Sequence, residues 1–205
     1  MMDGKPFSQA CENNKQVILE KIAAIFSGPI TVLEIGTGTG QHAVHFARNL
    51  SHLIWQPSDH PSNYQLCEPW LSEARLPNIN KPLALDVSRR DWQLPPINGV
   101  FSANTAHIMA WPEVEAMFRG VSANLQPKEA FCLYGPFNYK GQFTSASNQR
   151  FDAHLRQQNP AMGIRDMDDL KRISSENKLT LESDFEMPAN NRLLVWRKGE
   201  SESNR

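Results

Sequence analysis

The sequence predicts an α/β fold: a mostly parallel seven-stranded sheet with helices on both faces and a C-terminal antiparallel hairpin. Apolar strands alternate with amphipathic helices from residue 9 to residue 135. These strands are apolar along their whole length, as expected when helices cover both faces of a sheet. The last two apolar segments, 179–187 and 192–198, are separated only by a short turn. They must pair antiparallel, because a parallel pair needs a long crossover.

The helices are predicted where apolar residues recur at three- and four-residue spacing. The first extends over about 9–26, and Gly28 and Pro29 end it. Pro112 suits the first turn of a later helix. The remaining predicted helices cover 40–49, 62–74, 112–125, 147–158 and 166–176.

The strands are predicted where short apolar runs are rich in β-branched and aromatic residues. These runs cover 30–35, 52–56, 81–87, 99–104, 129–135, 179–187 and 192–198. The polar tail, 199–205, is expected to be disordered. One domain over residues 1–205 is therefore expected, with a core of ordinary size.

Charge and composition narrow the classes of partner. The formal net charge is −1, so there is no broad basic surface for a long nucleic acid, and no nucleic-acid partner is expected. The N-terminus lacks the apolar core of a signal peptide, and no apolar run approaches membrane-spanning length. The three cysteines form no C-x-x-C pair. A cytoplasmic protein without a membrane partner is expected.

A glycine-rich turn follows the first predicted strand, with Gly36, Gly38 and Gly40 in "EIGTGTG". A strand, a glycine turn and a helix place backbone N–H groups at the carboxyl end of a sheet, where ligands bind in open α/β folds. The dinucleotide fingerprint G-x-G-x-x-G is not met, because Gln41 occupies its third glycine position. No Walker-type Gly-Lys-Ser/Thr follows either.

The segment "VLEIGTGTG" resembles motif I of the class I S-adenosylmethionine-dependent methyltransferases. Five further segments extend the likeness past this turn: "WQPSD", "LYGPF", "SNQRFD", "GIRDMDDL" and "MPANN". In this order, and with "GTGQHAVHFA", they resemble an uncharacterised branch of that superfamily, the domain of unknown function 938 group. The resemblance covers almost the whole chain. It implies a Rossmann-like fold with a cofactor-binding half at about 30–104 and a substrate-side half at about 105–198.

The same resemblance implies S-adenosylmethionine as the cofactor. It assigns Glu34 to the cofactor's ammonium, Asp59 to the ribose hydroxyls and Asp86 to the adenine amino group. Alternatively, Asp59 caps the helix over 62–74, and Asp86 caps the next turn. The complete expected cofactor set is Glu34, Gly36, Thr37, Gly38, Gly40, Asp59, Asp86 and Asn104.

The loop after the fourth strand faces the transferable methyl group in class I methyltransferases. It contains Asn104, a candidate for orienting the acceptor, and His107, a candidate general base because an unperturbed histidine titrates near neutrality. The alternative for His107 is a half-buried histidine with satisfied hydrogen bonds. Phe137, Asn138 and Tyr139, in a long polar and aromatic segment, are candidate substrate contacts.

Two other polar features admit a simpler interpretation. His42 and His45 are three apart on one predicted helix, but no third ligand is evident, so no metal site is expected. The acidic residues of "RDMDDL" lie where a helix N-terminus favours negative charge. The segment "MPANN" suits a turn, because asparagine tolerates positive φ, and its place among the resembled motifs leaves a pocket role open.

The sequence thus predicts a methyltransferase acting on a small-molecule acceptor, in which the enzyme aligns the nucleophile with the methyl group and excludes water. The alternative is a non-catalytic regulatory protein that binds S-adenosylmethionine or S-adenosylhomocysteine. A nicotinamide-dependent oxidoreductase is disfavoured by Gln41. The sequence specifies neither the acceptor nor the oligomeric state.

Overall fold

The computed structural model describes residues 4–200. The helices are α1 (Gln9–Ile25), α2 (Gln41–Asn49), α3 (Glu68–Ala74), α4 (Trp111–Asn124), α5 (Ala146–Gln158) and α6 (Met167–Glu176). The strands are β1 (Thr31–Ile35), β2 (Ile54–Asp59), β3 (Leu83–Ala84), β4 (Gly99–Ala103), β5 (Ala130–Gly135), β6 (Phe137–Asn138), β7 (Arg165–Asp166), β8 (Leu179–Met187) and β9 (Asn191–Lys198). Among these residues, no helix is both long enough and apolar enough to cross a membrane.

The main sheet has seven strands in the order β3-β2-β1-β4-β5-β9-β8. It is a mixed sheet: β3, β2, β1 and β4 pair in parallel, whereas β9 pairs antiparallel with both β5 and β8. The predicted parallel sheet with a terminal hairpin is therefore confirmed in outline. The prediction missed the separate two-stranded sheet of β6 and β7.

The described chain forms two compact units. The first comprises the described residues up to Asp86 together with Leu94–Ser102. Its core contains Phe46 of α2, Trp55 of β2 and Phe101 of β4, whose ring centroids lie 5.3–5.8 Å apart. All three side chains are buried because α2 covers one face of the parallel strands.

The second unit comprises Val87–Gln93 and the described residues from Ala103 onward. Phe118, Phe131 and Trp196 form its aromatic centre, with ring centroids 5.1–5.5 Å apart. Burial of such large side chains contributes about 1.5–3 kcal/mol each to folding.

Three predicted segments differ from the structure. The third strand was expected over 81–87, but only Leu83–Ala84 pairs with β2. The helix expected over 62–74 begins as a 3-10 turn, Tyr64–Cys67, before α3. In the predicted disordered tail, Gly199 N donates to Lys178 O at 2.8 Å, while 201–205 lie outside the described residues.

Candidate functional site

The glycine turn lies directly after the buried strand β1. Gly36, Gly38 and Gly40 have φ values of 77°, 53° and 86°, in the left-handed region that glycine tolerates best. A Cβ on Gly40 would lie 2.8 Å from Cys67 Cβ, whereas a Cβ on Gly38 would meet nothing within 4 Å. Gly40 is therefore required for packing, and Gly38 leaves open space beside the backbone.

The end of β2 holds the turn in place. Ser58 O accepts hydrogen bonds from Gly36 N at 2.9 Å and Thr37 N at 3.0 Å. Asp59 Oδ2 accepts from Gly38 N at 2.8 Å, and Asp59 Oδ1 accepts from the neighbouring backbone N–H of His60 at 2.7 Å. The structure brings Asp59 to the glycine turn rather than to the start of the following helix, where Asn63 is the N-cap residue, so the alternative of a helix cap is wrong. Its contact with the ribose hydroxyls stays a prediction.

Glu34 is buried beneath the turn. Its Oε2 accepts from Thr37 Oγ1 at 2.7 Å and from Trp55 Nε1 at 3.0 Å. Burial raises the pKa of Glu34 to about 7, against the two hydrogen bonds that favour its charged form. The chain itself therefore supplies hydrogen-bond partners for this buried carboxylate. Its contact with the cofactor's ammonium stays a prediction.

Gln41 contributes a feature that the sequence did not predict. The buried Gln41 Oε1 accepts from Ser8 N at 2.6 Å and from Thr39 Oγ1 at 2.9 Å, and its Nε2 donates to Glu12 Oε1 at 2.7 Å. This amide joins the start of α1 to the glycine turn. The only sign of this role in the sequence was that Gln41 stands where the dinucleotide fingerprint has its third glycine.

Asp86 follows the short β3 and is partly buried. Asp86 and Asp59 are thus the half-buried carboxylates at the ends of two neighbouring parallel strands. Carboxylates in this position accept hydrogen bonds from hydroxyl and amino donors. In the first unit, the structure places the predicted turn residues and Asp59 together.

Asn104 and His107 lie in the second unit, after β4. Asn104 adopts a φ of 59°, and its N donates to Tyr134 O at 2.9 Å. His107 is buried, and its ring packs edge-on against Phe151 at 5.2 Å. Burial, with a smaller effect of the Arg165 charge, lowers the pKa of His107 to about 4. The assumption of a near-neutral pKa is therefore corrected, and His107 is a neutral, weak base at pH 7.

The three candidate substrate contacts have different environments. Phe137 is a buried core side chain, and Tyr139 is held by its hydroxyl, which donates to Asp184 Oδ2 at 2.7 Å. Asn138 Oδ1 is buried and has no hydrogen-bond partner among residues 4–200. Phe137 and Tyr139 thus have structural contacts of their own, whereas Asn138 has an unused acceptor.

Two of the resembled motifs contact each other. Ala189 and Asn190 of "MPANN" have φ values of 58° and 57°, typical of the two-residue turn of a hairpin. Asn190 O accepts from Nδ2 of Asn148, in "SNQRFD", at 3.1 Å. The turn interpretation of "MPANN" is confirmed, and the motif also fixes the first turn of α5.

Two of the side chains considered as metal ligands, His42 and Asp166, have other partners. His42 Nε2 lies 2.7 Å from Asn14 Oδ1, and Asp166 caps α6 by accepting from Asp168 N at 2.9 Å. Within the described part of the chain, no group of three or more His, Cys, Asp or Glu side chains is arranged to hold a metal ion. The predicted role of the acidic cluster at a helix N-terminus is confirmed.

Arg165 is a second residue that the sequence analysis missed. It is only 8% exposed, and its guanidinium donates to the backbone carbonyls of Ala106, Met109 and Ala161. It thereby fixes the segment containing His107, whose own carbonyl accepts from Gly163 N at 2.9 Å. Nothing in the local pattern of "GIRDM" distinguishes this arginine from a surface residue.

Residues 5–198 match the model of a family described as "Protein of unknown function (DUF938)". The chain belongs to this family. The match of the DUF938 model extends across both compact units, so the resemblance to that group is confirmed. The family description assigns no activity.

Solved methyltransferase structures share the fold of this DUF938 protein. An O-methyltransferase family protein from Burkholderia thailandensis is 14% identical with a TM-score of 0.81, over 94% of this chain and 58% of that one. Human N-acetylserotonin methyltransferase, solved with SAM, is 15% identical with a TM-score of 0.76, over 93% and 53%. The mitomycin 7-O-methyltransferase MmcR is 16% identical with a TM-score of 0.75, over 91% and 54%. The chain thus has the methyltransferase fold and spans little more than half the length of these proteins.

Proposed function

We propose that this chain is an S-adenosylmethionine-dependent methyltransferase that acts on a small-molecule acceptor. The observation that carries the proposal is the glycine turn with open space at Gly38, in a fold shared with methyltransferases. The turn allows close backbone approach by a ligand at the carboxyl end of β1. Open α/β sheets bind their ligands at this edge, and the open space at Gly38 lies there.

The residues of the first unit fit the cofactor. Gly38 would pass close to its methionine part, Asp59 would accept its ribose hydroxyls, and Asp86 would accept its adenine amino group. Asp59 is already oriented by its hydrogen bond from Gly38 N at 2.8 Å. Binding the cofactor therefore costs little further side-chain entropy at this residue. Glu34 supports the turn through Thr37. When bound, the cofactor supplies a methyl group on a positively charged sulfur.

The second unit favours acceptors that need no strong base. A base with the lowered pKa of His107, about 4, takes a proton poorly from an ordinary alcohol at neutral pH. A thiolate, a carboxylate or an amine in its unprotonated form presents a usable lone pair without such help. We assign Asn104 to orienting the acceptor through its side-chain amide, and His107 to accepting a hydrogen bond in its neutral form.

A transfer screen tests this function. Wild-type protein is incubated with S-adenosylmethionine carrying a tritiated methyl group and with a metabolite extract, and small-molecule products are separated and counted. We expect labelled product from wild type and background counts from Gly38→Val. Gly28→Val is the matched control, because a Cβ there also meets nothing within 4 Å, and it should retain transfer.

The outcomes separate the two candidate functions. Cofactor binding without labelled product would favour the non-catalytic alternative over the enzyme. Equal labelled product from wild type and Gly38→Val would show that the turn does not hold the cofactor.

A further inference from the structure

A cavity of about 340 Å³ lies within the second unit. Its wall includes Trp111 at the start of α4, Asn138 of β6 and Arg165 of β7. The short parallel pairing of β6 with β7, which sets Asn138 opposite Asp166, forms one side of the cavity. Two polar side chains of its wall are incompletely partnered within residues 4–200, one a cation without a salt bridge and the other an amide oxygen without a donor.

The first such group is the guanidinium of Arg165. Its Nε donates to Ala106 O at 2.9 Å, and its Nη2 donates to the carbonyls of Ala161, at 2.9 Å, and Met109. Within residues 4–200, no hydrogen bond is made by Nη1, and no carboxylate lies within 4.0 Å of the guanidinium. This mostly buried positive charge therefore has no carboxylate in salt-bridge contact, and Asp152 and Glu113 act on it only from beyond 4.0 Å.

Two other charged side chains of the cavity wall, Arg156 and Asp166, already have partners. Arg156 pairs with Asp152 at 2.8 Å. Asp166 accepts from Asp168 N at 2.9 Å and from Gly141 N at 2.6 Å. Arg165 thus remains as the unpaired cation, and the two acids on the wall, Asp166 and Asp169, disfavour ligands with more than one negative charge.

The second such group is the amide of Asn138. Its Oδ1 is buried with no partner in the described chain. Leaving such an acceptor unsatisfied costs about 1–3 kcal/mol, which a hydroxyl or amino donor would remove. Trp111 adds an aromatic wall, with the Arg165 guanidinium 5.9 Å from the centre of its ring.

We propose that this cavity binds a small molecule that carries one carboxylate and a neighbouring hydroxyl or amino group. The carboxylate accepts from Nη1 of Arg165, and the hydroxyl or amino group donates to Oδ1 of Asn138. One carboxylate is favoured over a phosphate because only one unpaired cation faces two acids. The inference goes beyond the proposed methyl transfer and rests on residues of the second unit alone.

Glycolate, which has a carboxylate beside a hydroxyl, is the probe. The ¹⁵N-labelled full chain is titrated with glycolate while the indole resonance of Trp111 is followed by NMR, and glycolamide serves as the uncharged control. We expect saturable binding of glycolate in about the millimolar range and at least tenfold weaker binding of glycolamide. Equal affinity for the two compounds, or no saturable shift with glycolate, overturns the proposal.

Two substitutions locate the site. Arg165→Met removes the cation but also three bonds to carbonyls, so thermal melting must show that it folds. Asn138→Asp keeps the side-chain shape and adds a negative charge, and we expect it to weaken glycolate binding at least tenfold. Arg156→Met is the matched control, because that arginine is already paired, and it should change affinity less than threefold.

The same samples distinguish this site from the proposed function. Calorimetry with S-adenosylhomocysteine should give the same affinity for wild type and Asn138→Asp. If wild type binds S-adenosylhomocysteine but not glycolate, the carboxylate site fails while the proposed function stands. If Asn138→Asp binds glycolate as tightly as wild type, the assignment of the site fails as well.

Discussion

The glycine turn of the first unit and the cavity of the second unit both contain buried ionisable side chains. They differ in how many protein partners these side chains have. Glu34 receives hydrogen bonds from Thr37 and Trp55. Arg165 lacks a carboxylate partner within residues 4–200, and Asn138 Oδ1 has no donor in that range. The turn is therefore ordered by its own contacts, whereas the cavity has polar groups that a ligand would complete.

Burial shifts the pKa values of an acid in the first unit and of a base in the second unit. Burial raises the pKa of the Glu34 carboxyl to about 7 and lowers the pKa of the His107 imidazole to about 4. In both cases the neutral form gains relative to the charged form. The two groups should consequently respond to pH in opposite directions, which makes the contrast measurable.

The largest expected effect concerns Gly40. Gly40→Val places a Cβ 2.8 Å from Cys67 Cβ and 2.9 Å from Leu71 Cδ1 at a φ of 86°. Overpacking and left-handed strain together should lower the free energy of unfolding by roughly 2–5 kcal/mol. Urea unfolding measures the loss. Gly38→Ala, with open space at φ 53°, should lose only about 1–2 kcal/mol, and equal losses would contradict the division of roles within the turn.

The next effect concerns Glu34. Its pKa is about 7 in the folded chain against an ordinary 4.5, so the folded state holds the proton more tightly than the unfolded state. The free energy of unfolding should therefore fall as pH rises from about 5 to 8, by roughly 2–3 kcal/mol. Glu34→Gln should remove this loss in urea unfolding at the two pH values.

Exposed Glu20 supplies the control for this measurement, because Glu20→Gln should keep the wild-type dependence. A pH dependence of Glu34→Gln that matches wild type would show that Glu34 is ionised in the folded chain. The turn would then bury the charge of the Glu34 carboxylate, as the cavity wall buries the charge of the Arg165 guanidinium.

The smallest effect concerns His107. Its pKa is about 4 in the folded chain against an ordinary 6.5, so between these values the unfolded state binds more protons. The free energy of unfolding should fall by roughly 2 kcal/mol as pH drops from about 6.5 to 4. His107→Gln should lose that share of the acid sensitivity, while His154→Gln, at an exposed position on α5, should not. Acid unfolding curves identical to wild type for His107→Gln would place its ring in solvent.

The sequence predicted the turn well because its signals are local. Glycine at alternate positions after an apolar strand indicates positive φ, and Gly36, Gly38 and Gly40 all adopt it. The alternation of strands and helices likewise predicted a mostly parallel sheet, and the short turn between the last two strands predicted the antiparallel hairpin. In contrast, the run over 81–87 looked like a full strand, but only Leu83–Ala84 meets a neighbour, since pairing depends on a partner rather than on apolar character.

The cavity was much harder to predict. β6 and β7 are two residues long and pair across a large sequence separation, so no local periodicity marks them. Asn138 was named as a candidate contact from its segment alone, and its unpartnered Oδ1 depends on the whole fold. Arg165 reads as an ordinary polar residue in sequence, because its burial is set by the carbonyls of Ala106, Met109 and Ala161. The lowered pKa of His107 likewise follows from the burial of its own ring in the folded chain.

Calorimetry with three ligands tests most directly whether the glycine turn holds S-adenosylmethionine. Purified wild-type chain is titrated with S-adenosylmethionine, with S-adenosylhomocysteine and with a nicotinamide dinucleotide. We expect one of the first two to bind with a dissociation constant in the micromolar range, about −8 kcal/mol, and the dinucleotide not to bind. We also expect Gly38→Val to lose the binding while it remains folded. Binding of the dinucleotide with no binding of either adenosyl compound would contradict the proposed cofactor and, with it, the proposed methyl transfer.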